Sequence, residues 1–315
     1  MAIADLAGVL VVDKPSGMTS HDVVAAVRRA VSPKGSTTRG HNRVKVGHAG
    51  TLDPDATGVL VVCLGRATRL VPYLQASTKT YDARMRLGVE TSTLDAAGEI
   101  LAEKDAAAVD EAAVCEALKS FVGVIEQVPP MVSAVKVDGE RLYRKALRGE
   151  VVERAARTVT VHDIVLEDFE PGPRAEVAFL VTCSAGTYVR TLAADVGTRL
   201  GVGAHLRALR RLGSGRFSLE DAVDLDKVAE LARTGRLDEA LLSPADAVAD
   251  YPAIVVDDDG RATVGYGRPL PATGLDGPVA VLDASGALLA MVADRDGEAR
   301  PLAVLEPAGA RPSDG

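Results

Sequence analysis

Apolar residues in the first part of the chain are spaced as short buried strands and one amphipathic helix. Residues 8–13, five of them uncharged and apolar before Asp13, predict a buried strand, and Lys14-Pro15-Ser16-Gly17 predicts the turn that ends it. Ser20 is the expected cap of a helix that runs to Val31, with valines recurring on one face. The polar, glycine-containing segment 32–47 predicts a loop.

Further strands and helices follow from the same two periodicities. Apolar runs or alternation predict strands at residues 59–64, 81–87, 158–166 and 175–184. Helical spacing predicts helices at 108–121 and 187–200, the second of which ends at Gly201. Residues 220–247 have a helical pattern with many acidic side chains.

The pattern changes from residue 250 onwards to short strands. These are predicted at residues 253–256, 279–283, 288–293 and 302–305. The turns between them are expected at Asp258-Asp259-Gly260, Ser285-Gly286 and Asp296-Gly297. The sequence therefore predicts a small β unit after a helical connector.

Composition narrows the class of protein. The chain has 315 residues, 47% of them hydrophobic and 25% charged, which is enough for two domains. No apolar run approaches the roughly 18 residues that a membrane span needs, and no basic segment precedes the first apolar stretch. The three cysteines are far apart and form no CxxC pair, so neither a disulfide framework nor a cysteine-rich zinc site is expected. We therefore expect a reduced, cytoplasmic protein without a metal.

Charge is distributed unevenly along the chain, although the net charge is −8. Residues 217–315 hold 8 basic and 19 acidic residues, whereas residues 1–216 hold 28 and 25. The basic residues of the first part form three clusters, at residues 34–45, 141–157 and 199–216. Each cluster alone could be a solvated surface, but together they favour an anionic partner such as nucleic acid.

The densest chemical signal is the sequence GHAGTLDPDATGVL at residues 47–60. Pro54 restricts Asp53 to an extended backbone, while Gly50 and Gly58 allow another chain to approach closely. A single Asp on a rigid loop is a candidate nucleophile or general base. The alternative is an Asp-Pro turn whose carboxylate caps a backbone amide.

This stretch resembles the signature of the TruB family, the bacterial tRNA pseudouridine synthases that isomerise uridine 55 in the TΨC arm. Other segments between residues 8 and 216 resemble the family in the same order. They are VDKPSG (12–17), CLGRATR (63–69), KTY (79–81), PPMVSAVK (129–136), CSAGTYVRT (183–191) and GAHLRALRRL (203–212).

The resemblance implies three catalytic residues. Asp53 would attack the target uridine at the ribose C1′ or at the base, and the uracil would be rotated and rejoined through C5. Arg190 would keep the carboxylate ionised, and Tyr81 would stack on the flipped base and help to remove the C5 proton. Without the motifs, Tyr81 would be a core residue and Arg190 a surface residue of its helix. The reaction consumes nothing, so no cofactor is implied.

The resemblance also assigns residues that bind the substrate. His48 would intrude into the RNA loop, Arg69 would meet phosphate, and Lys14 would support the base of the site. Tyr188 would pack beside the site or face the core, and Leu209 would lie against the uracil, although helical spacing alone makes it a core residue. Residues expected at the RNA backbone are Arg43, Lys45, Arg141, Arg144, Lys145 and Arg148.

The implied fold is an α/β (α+β) pseudouridine synthase fold with a mixed, mainly antiparallel sheet and a central cleft, plus a small PUA-like β-barrel. We expect a catalytic domain at 1–219 with an RNA-clasping insertion at 125–155. A helical connector at 220–249, a PUA-like domain at 250–308 and a disordered tail at 309–315 would follow. The expected partner is the T arm of tRNA, with no membrane, no obligate protein partner and a monomeric state.

Two other functions compete with this one. A carbohydrate hydrolase needs two carboxylates at the scissile bond, and no second acid pairs convincingly with Asp53, since Asp55 would point elsewhere. An RNA-binding protein that assists tRNA folding would keep the basic clusters without the chemistry. This chaperone role could accompany catalysis or replace it.

Overall fold

The structure is a computed structural model that describes residues 6–32, 44–131, 136–137, 140–141 and 152–307. The chain forms two compact units. Unit 1 comprises residues 1–54, 58–76 and 216–315, and unit 2 comprises residues 55–57 and 77–215. The predicted domain borders at 219 and 249 stay predictions.

Unit 1 begins with strand β1, whose partner β3 runs antiparallel to it over seven paired positions. A short strand, β2, also runs antiparallel to β3 and pairs with its last three residues. The elements of this part are β1 (Gly8–Lys14), α1 (Ser20–Val31), β2 (Val46–His48), β3 (Thr57–Leu64), a 3₁₀ turn (Gly65–Leu70) and α2 (Val71–Gln75). Apolar side chains of α1 pack on β1 and β3, since valines of the helix share one buried cluster with Leu10 and Leu60.

Unit 2 contains a five-stranded antiparallel sheet in the order β12-β4-β11-β10-β7. Its elements up to the insertion are β4 (Lys79–Leu87), β5 (Val89–Thr91), β6 (Ile100–Glu103), α3 (Glu111–Lys119) and β7 (Gly123–Gln127). The others are β8 (Lys136–Val137), β9 (Glu140–Arg141), β10 (Arg157–Glu170), β11 (Glu176–Cys183), α4 (Val189–Arg199) and β12 (Ala204–Ser214).

The C-terminal part of the chain returns to unit 1 and forms a second five-stranded sheet, in the order β14-β16-β17-β18-β15. Strands β14 and β16 pair in parallel, and the other described pairs of this sheet are antiparallel. The helices of this part are α5 (Leu225–Thr234), a 3₁₀ turn (Leu237–Ala240), α6 (Pro244–Ala247) and α7 (Asp258–Gly265). The strands are β13 (Phe217–Ser218), β14 (Ala253–Val255), β15 (Leu270–Pro271), β16 (Val279–Leu282), β17 (Leu288–Arg295) and β18 (Glu298–Val304).

The predicted α/β architecture with mainly antiparallel sheets is confirmed. Several local expectations are wrong. Thr19, not Ser20, is the N-cap of α1, where it forms a capping box with Asp22. The expected loop at 32–47 gives way to strand β2 from Val46. The expected turn at Asp258-Asp259-Gly260 is the first turn of α7, because Asp257 accepts the amide of Gly260 and caps a helix there.

The largest correction concerns residues 204–214, where helical spacing placed Leu209 in the core. They form strand β12, and Leu209 pairs with Ala83 of β4 and is half-buried. Shifts of register between Leu206 and Ala208, and between Arg211 and Gly213, break the alternation of the strand. The bulges hide the two-residue period, so the sequence does not reveal the strand.

Candidate functional site

The loop that carries Asp53 is fixed on both sides of this residue. On one side, the buried Ser20 hydroxyl donates to the carbonyl of Leu52 at 3.1 Å and accepts the Leu52 amide at 2.9 Å. On the other side, the carbonyl of Pro54 accepts the Gly17 amide at 3.0 Å. Asp53 is half-buried between these anchors, and the ring of Pro54 restricts its backbone further. The loop therefore presents one carboxylate from a backbone with little freedom.

Lys14 supports this loop from beneath. Its side chain is fully buried, and its ammonium group donates to the carbonyls of Pro15, Met18 and Pro54 at 2.9, 2.5 and 2.8 Å. One ammonium group thus binds three backbone carbonyls of the turn after β1 and of the Asp53 loop. The geometry therefore favours a supporting role for Lys14 over contact with a substrate.

His48 begins the same loop, at the end of β2. Its ring packs edge-on against His21 of α1, with ring centroids 5.3 Å apart. Gly50, two residues later, has a φ of 109°, which an L side chain rarely adopts. Along the chain, His48 thus precedes and Asp53 follows a bend whose backbone conformation glycine permits.

Tyr81 lies on β4, the strand between β12 and β11 in the sheet of unit 2. It shares the buried face of the strand with Lys79, Ala83 and Met85, and it is only 8% exposed. Leu209 is on the adjacent strand, opposite Ala83. The sheet therefore brings Tyr81 and Leu209 to neighbouring strands within unit 2.

Arg190 lies in the first turn of α4, as predicted, and it is buried, so the alternative of a surface residue does not hold. Its guanidinium donates to the carbonyl of Thr93 and to a carboxylate oxygen of Asp95, each at 3.1 Å. Asp95 also accepts the amide of Ala97, so its carboxylate is held in a turn. Sequence reasoning missed Asp95, whose only signal was a lone acid in the polar stretch TSTLDAAG.

Tyr188 is the residue before α4, and its backbone is clamped by Gln127. The Gln127 side chain accepts the Tyr188 amide at 2.9 Å and donates to the Tyr188 carbonyl at 3.3 Å. Gln127 is buried at the end of β7, so this pair fixes the start of the helix that carries Arg190. No sequence signal marked Gln127, because the pairing depends on the sheet bringing residues 127 and 188 together.

Lys79 and two cysteines are titratable groups that the structure buries. Burial, together with the nearby charge of Arg211, lowers the pKa of Lys79 to about 8. Burial raises the pKa of Cys63 to about 12 and that of Cys183 to about 11. Neither of these two thiols is therefore a thiolate near neutral pH.

The remaining predicted residues are basic. Lys45 and Arg69 are exposed residues of unit 1, just before β2 and in the 3₁₀ turn after β3. Arg141 pairs through its backbone with Lys136. Arg154 ties one end of the insertion to the other by donating to the Pro129 carbonyl at 2.9 Å. Four further predicted residues lie outside the described part of the chain: Arg43, Arg144, Lys145 and Arg148.

Family models match three consecutive parts of the chain. Residues 38–189 match the N-terminal domain of the TruB family pseudouridylate synthases, and residues 190–249 match the C-terminal domain of tRNA pseudouridylate synthase B. Residues 251–306 match the C-terminal part of tRNA pseudouridine synthase II. A tRNA pseudouridine synthase B from Thermobifida fusca is 45% identical over 303 residues, which cover 95% of this chain and 98% of the relative. The chain belongs to the TruB family.

Other similarities agree with this membership. A tRNA pseudouridine synthase B from Symbiobacterium thermophilum is 50% identical over 266 residues, 84% of each protein. Among solved structures, a chain of a Cbf5-Nop10-Gar1 complex matches with a TM-score of 0.72 at 30% identity, covering 98% of this chain and 87% of that one. The TruB-family chain is thus a pseudouridine synthase by sequence and by fold.

In the part of this TruB-family chain that the structure describes, no group of three or more His, Cys, Asp or Glu side chains is arranged to hold a metal ion. The described helices include none with the length and apolar character required to cross a membrane. Unit 1 contains Asp53 on a loop that is held at both neighbouring residues, and unit 2 contains the buried Tyr81 and the guanidinium of Arg190, which pairs with Asp95.

Proposed function

We propose that this protein converts uridine to pseudouridine at position 55 in the T loop of tRNA, with Asp53 as the nucleophile. The relatives named above act, by name, on tRNA, and this chain spans nearly the full length of the Thermobifida fusca protein. The observation that carries the proposal is the anchoring of Asp53, since Leu52 is held by Ser20 of α1 and Pro54 by Lys14 of β1. A nucleophile that is fixed before the substrate arrives loses less entropy on reaction.

The proposed reaction is an exchange of one bond for another. The bond between N1 of the uracil and C1′ of the ribose breaks, the base turns, and a bond between C5 and C1′ forms. A carboxylate oxygen of Asp53 bonds transiently to C1′ or to the base and is released at the end. The proton on C5 leaves and N1 gains one, so the product has the same atoms as the substrate and no co-reactant is needed.

The other two catalytic residues have supporting roles in this proposal. Tyr81 stacks on the extruded base and assists the removal of the C5 proton. Arg190 contributes the positive charge that keeps the nucleophile ionised. The T arm is recognised mainly through its shape and phosphates, as folded RNA usually is.

The proposal is tested with an unmodified tRNA transcript and chemical mapping of pseudouridine at single-nucleotide resolution. The wild-type protein is expected to modify position 55, and Asp53→Asn to lose at least about a thousandfold in kcat while it still binds tRNA. Asp55→Asn is the matched control, because it removes an exposed carboxylate from the same loop. A transcript with cytidine at position 55 controls for the position.

Three outcomes would contradict the proposal in different ways. Wild-type rates for Asp53→Asn would exclude Asp53 as the nucleophile. Modification of another uridine and not of position 55 would exclude position 55 as the target. Tight binding of tRNA without modification by the wild-type protein would favour the chaperone role instead.

A further inference from the structure

A basic groove lies in unit 1 beside the loop that carries Asp53. It is open to solvent, with a volume of about 500 Å³. The last turn of α1, the residues around β2 and the 3₁₀ turn after β3 line it. Its polar side chains are those of Arg28, Lys45, His48 and Thr68, and none of the described residues that line it is acidic.

Arg28 is held in the wall of this groove. Its guanidinium donates to the carbonyl of Val46 at 3.0 Å, so a half-buried cation is fixed between α1 and β2. Arg29, the next residue, is also in the last turn of α1 but is exposed and does not line the groove. Cations in the last turn stabilise a helix through its dipole, and this explains both arginines. It does not explain why Arg28 alone turns towards β2.

Lys45 lies just before β2 and also lines the groove. Its backbone carbonyl accepts the Gly65 amide at 2.8 Å, which fixes the position from which its side chain extends, and the residue is exposed. A planar guanidinium in a fixed position and a flexible ammonium group are the two cations that proteins use to hold phosphate. With no acidic residue among the described lining, the field in the groove favours an anion.

We propose that this groove binds one phosphodiester of the RNA backbone between Arg28 and Lys45. The inference rests on the proposed function, because it assumes that the ligand is the RNA that presents uridine to Asp53. An open groove suits a continuous strand, whereas small ligands are mostly enclosed. His48 lines the groove and precedes Asp53 by five residues, which span at most about 18 Å. The phosphate therefore belongs to a nucleotide within a few positions of the target uridine.

The experiment uses T-arm RNA stem-loops that each contain one neutral methylphosphonate linkage in place of a phosphodiester. Dissociation constants are measured by fluorescence anisotropy for the wild-type protein, Arg28→Gln and the matched control Arg29→Gln. Neutralising one linkage near the target should weaken wild-type binding by roughly tenfold, as expected for a lost charge-assisted hydrogen bond. Arg28→Gln should distinguish that RNA from the unmodified RNA less than the wild-type protein does, because one of the two proposed contacts of the phosphate is already absent.

Salt dependence provides a second measure. In Arg28→Gln, the slope of log K against log salt concentration should fall by about 0.7 to 1, the value for one phosphate contact. Arg29→Gln should keep the wild-type slope and the wild-type sensitivity to the neutral linkage. Lys45→Gln, a change at an exposed position that does not threaten folding, should lose sensitivity at the same linkage as Arg28→Gln.

The inference is overturned if every neutral linkage affects the wild-type protein, Arg28→Gln and Lys45→Gln equally. It is also overturned if Arg29→Gln loses as much slope as Arg28→Gln, since the effect would then be that of a diffuse field. Formation of pseudouridine in the all-phosphate stem-loop is measured in parallel. If binding depends on one linkage through Arg28 but no pseudouridine forms, the phosphate site in the groove is supported and the proposed function is refuted. If pseudouridine forms but no linkage depends on Arg28, the proposed function is supported and the phosphate site is refuted.

Discussion

Arg190 is a cation at a position where elementary electrostatics disfavours one. It is buried, and it lies in the first turn of α4, where the helix dipole is positive. Burial of a charge is tolerated only when a partner compensates for it. Asp95 is one such partner in unit 2, at 3.1 Å, and the Thr93 carbonyl accepts a second hydrogen bond. The charge of Asp95 thus supports the proposed role of Arg190.

We predict that Asp95→Asn lowers kcat for pseudouridine formation at least about tenfold and leaves the KM for tRNA nearly unchanged. The amide cannot balance the buried guanidinium, and the loss of a charge-assisted hydrogen bond costs about 2 kcal/mol. Asp105→Asn is the control, because Asp105 also accepts the amide two residues later, that of Ala107, and is exposed. Steady-state kinetics with both variants decide the matter, and a wild-type kcat for Asp95→Asn would contradict the prediction.

Lys79 allows a prediction about pH. Because its pKa falls to about 8 in the folded protein, from the ordinary value of 10.5, the folded state binds fewer protons than the unfolded state between these values. The penalty for burying the charge is therefore complete below about pH 8 and is relieved as the pH rises towards 10.5. Relative to Lys79→Met, which has no such group, the stability of the wild-type protein should rise between about pH 8 and 10. Parallel curves from urea titrations of the two proteins would contradict this.

At the scale of secondary structure, helix α1 positions other segments of unit 1 in addition to packing on the sheet. The capping box of Thr19 and Asp22 fixes its start, and buried valines hold it on β1 and β3. From this fixed helix, Ser20 holds Leu52 and Arg28 holds Val46. One helix therefore positions the loop with Asp53 and the basic groove together.

We predict that Ser20→Ala lowers both stability and kcat. The change leaves the amide and the carbonyl of Leu52 buried without this partner, which costs about 2 kcal/mol, and it removes an anchor next to Asp53. Ser32→Ala provides a comparison at the other end of α1, where the hydroxyl donates to the Arg28 carbonyl. Denaturant titration and single-turnover kinetics should show a loss for Ser20→Ala only, and equal effects of the two changes would refute this account.

The two compact units do not follow one another along the sequence, because unit 1 contains both the N-terminal and the C-terminal parts of the chain. Buried residues of β17, among them Leu288 and Met291, share one apolar cluster with Val9 of β1 and Leu70 of the first 3₁₀ turn. A second cluster around Val264 and Val281 is formed by helix α7 and the C-terminal sheet. The C-terminal residues thus have a core of their own and a share in that of the N-terminal strands.

We predict that Met291→Ala destabilises unit 1 as a whole, by about 3 kcal/mol, because it opens a cavity in the shared cluster. Calorimetry should show that the transition which includes the N-terminal strands shifts to lower temperature. Leu302→Ala removes an apolar side chain that is 40% exposed and should lower the temperature of this transition far less. A separate low-temperature transition for residues 250–308 alone would contradict the shared core.

The sequence alone determined the elements that depend on local pattern and the motif that contains Asp53. The strands around residues 8–13, 59–64 and 81–87 follow from apolar runs or alternation, because each buries a complete face. The motif predicted Asp53 on a loop fixed by proline and glycine, and the predicted start of the helix that carries Arg190 lies within two residues of the observed one.

Only the tertiary structure decided the partners of these residues. Ser20 meets Leu52, Arg190 meets Asp95 and Gln127 meets Tyr188 across 32, 95 and 61 positions of the chain. Such separations are set by strand register and helix packing, which local periodicity does not encode. Strand β12 shows the same limit in another form, because its two bulges erase the alternation by which a strand is recognised. The sequence therefore supplied the groups and their local geometry, and the pairing of strands and helices supplied their neighbours.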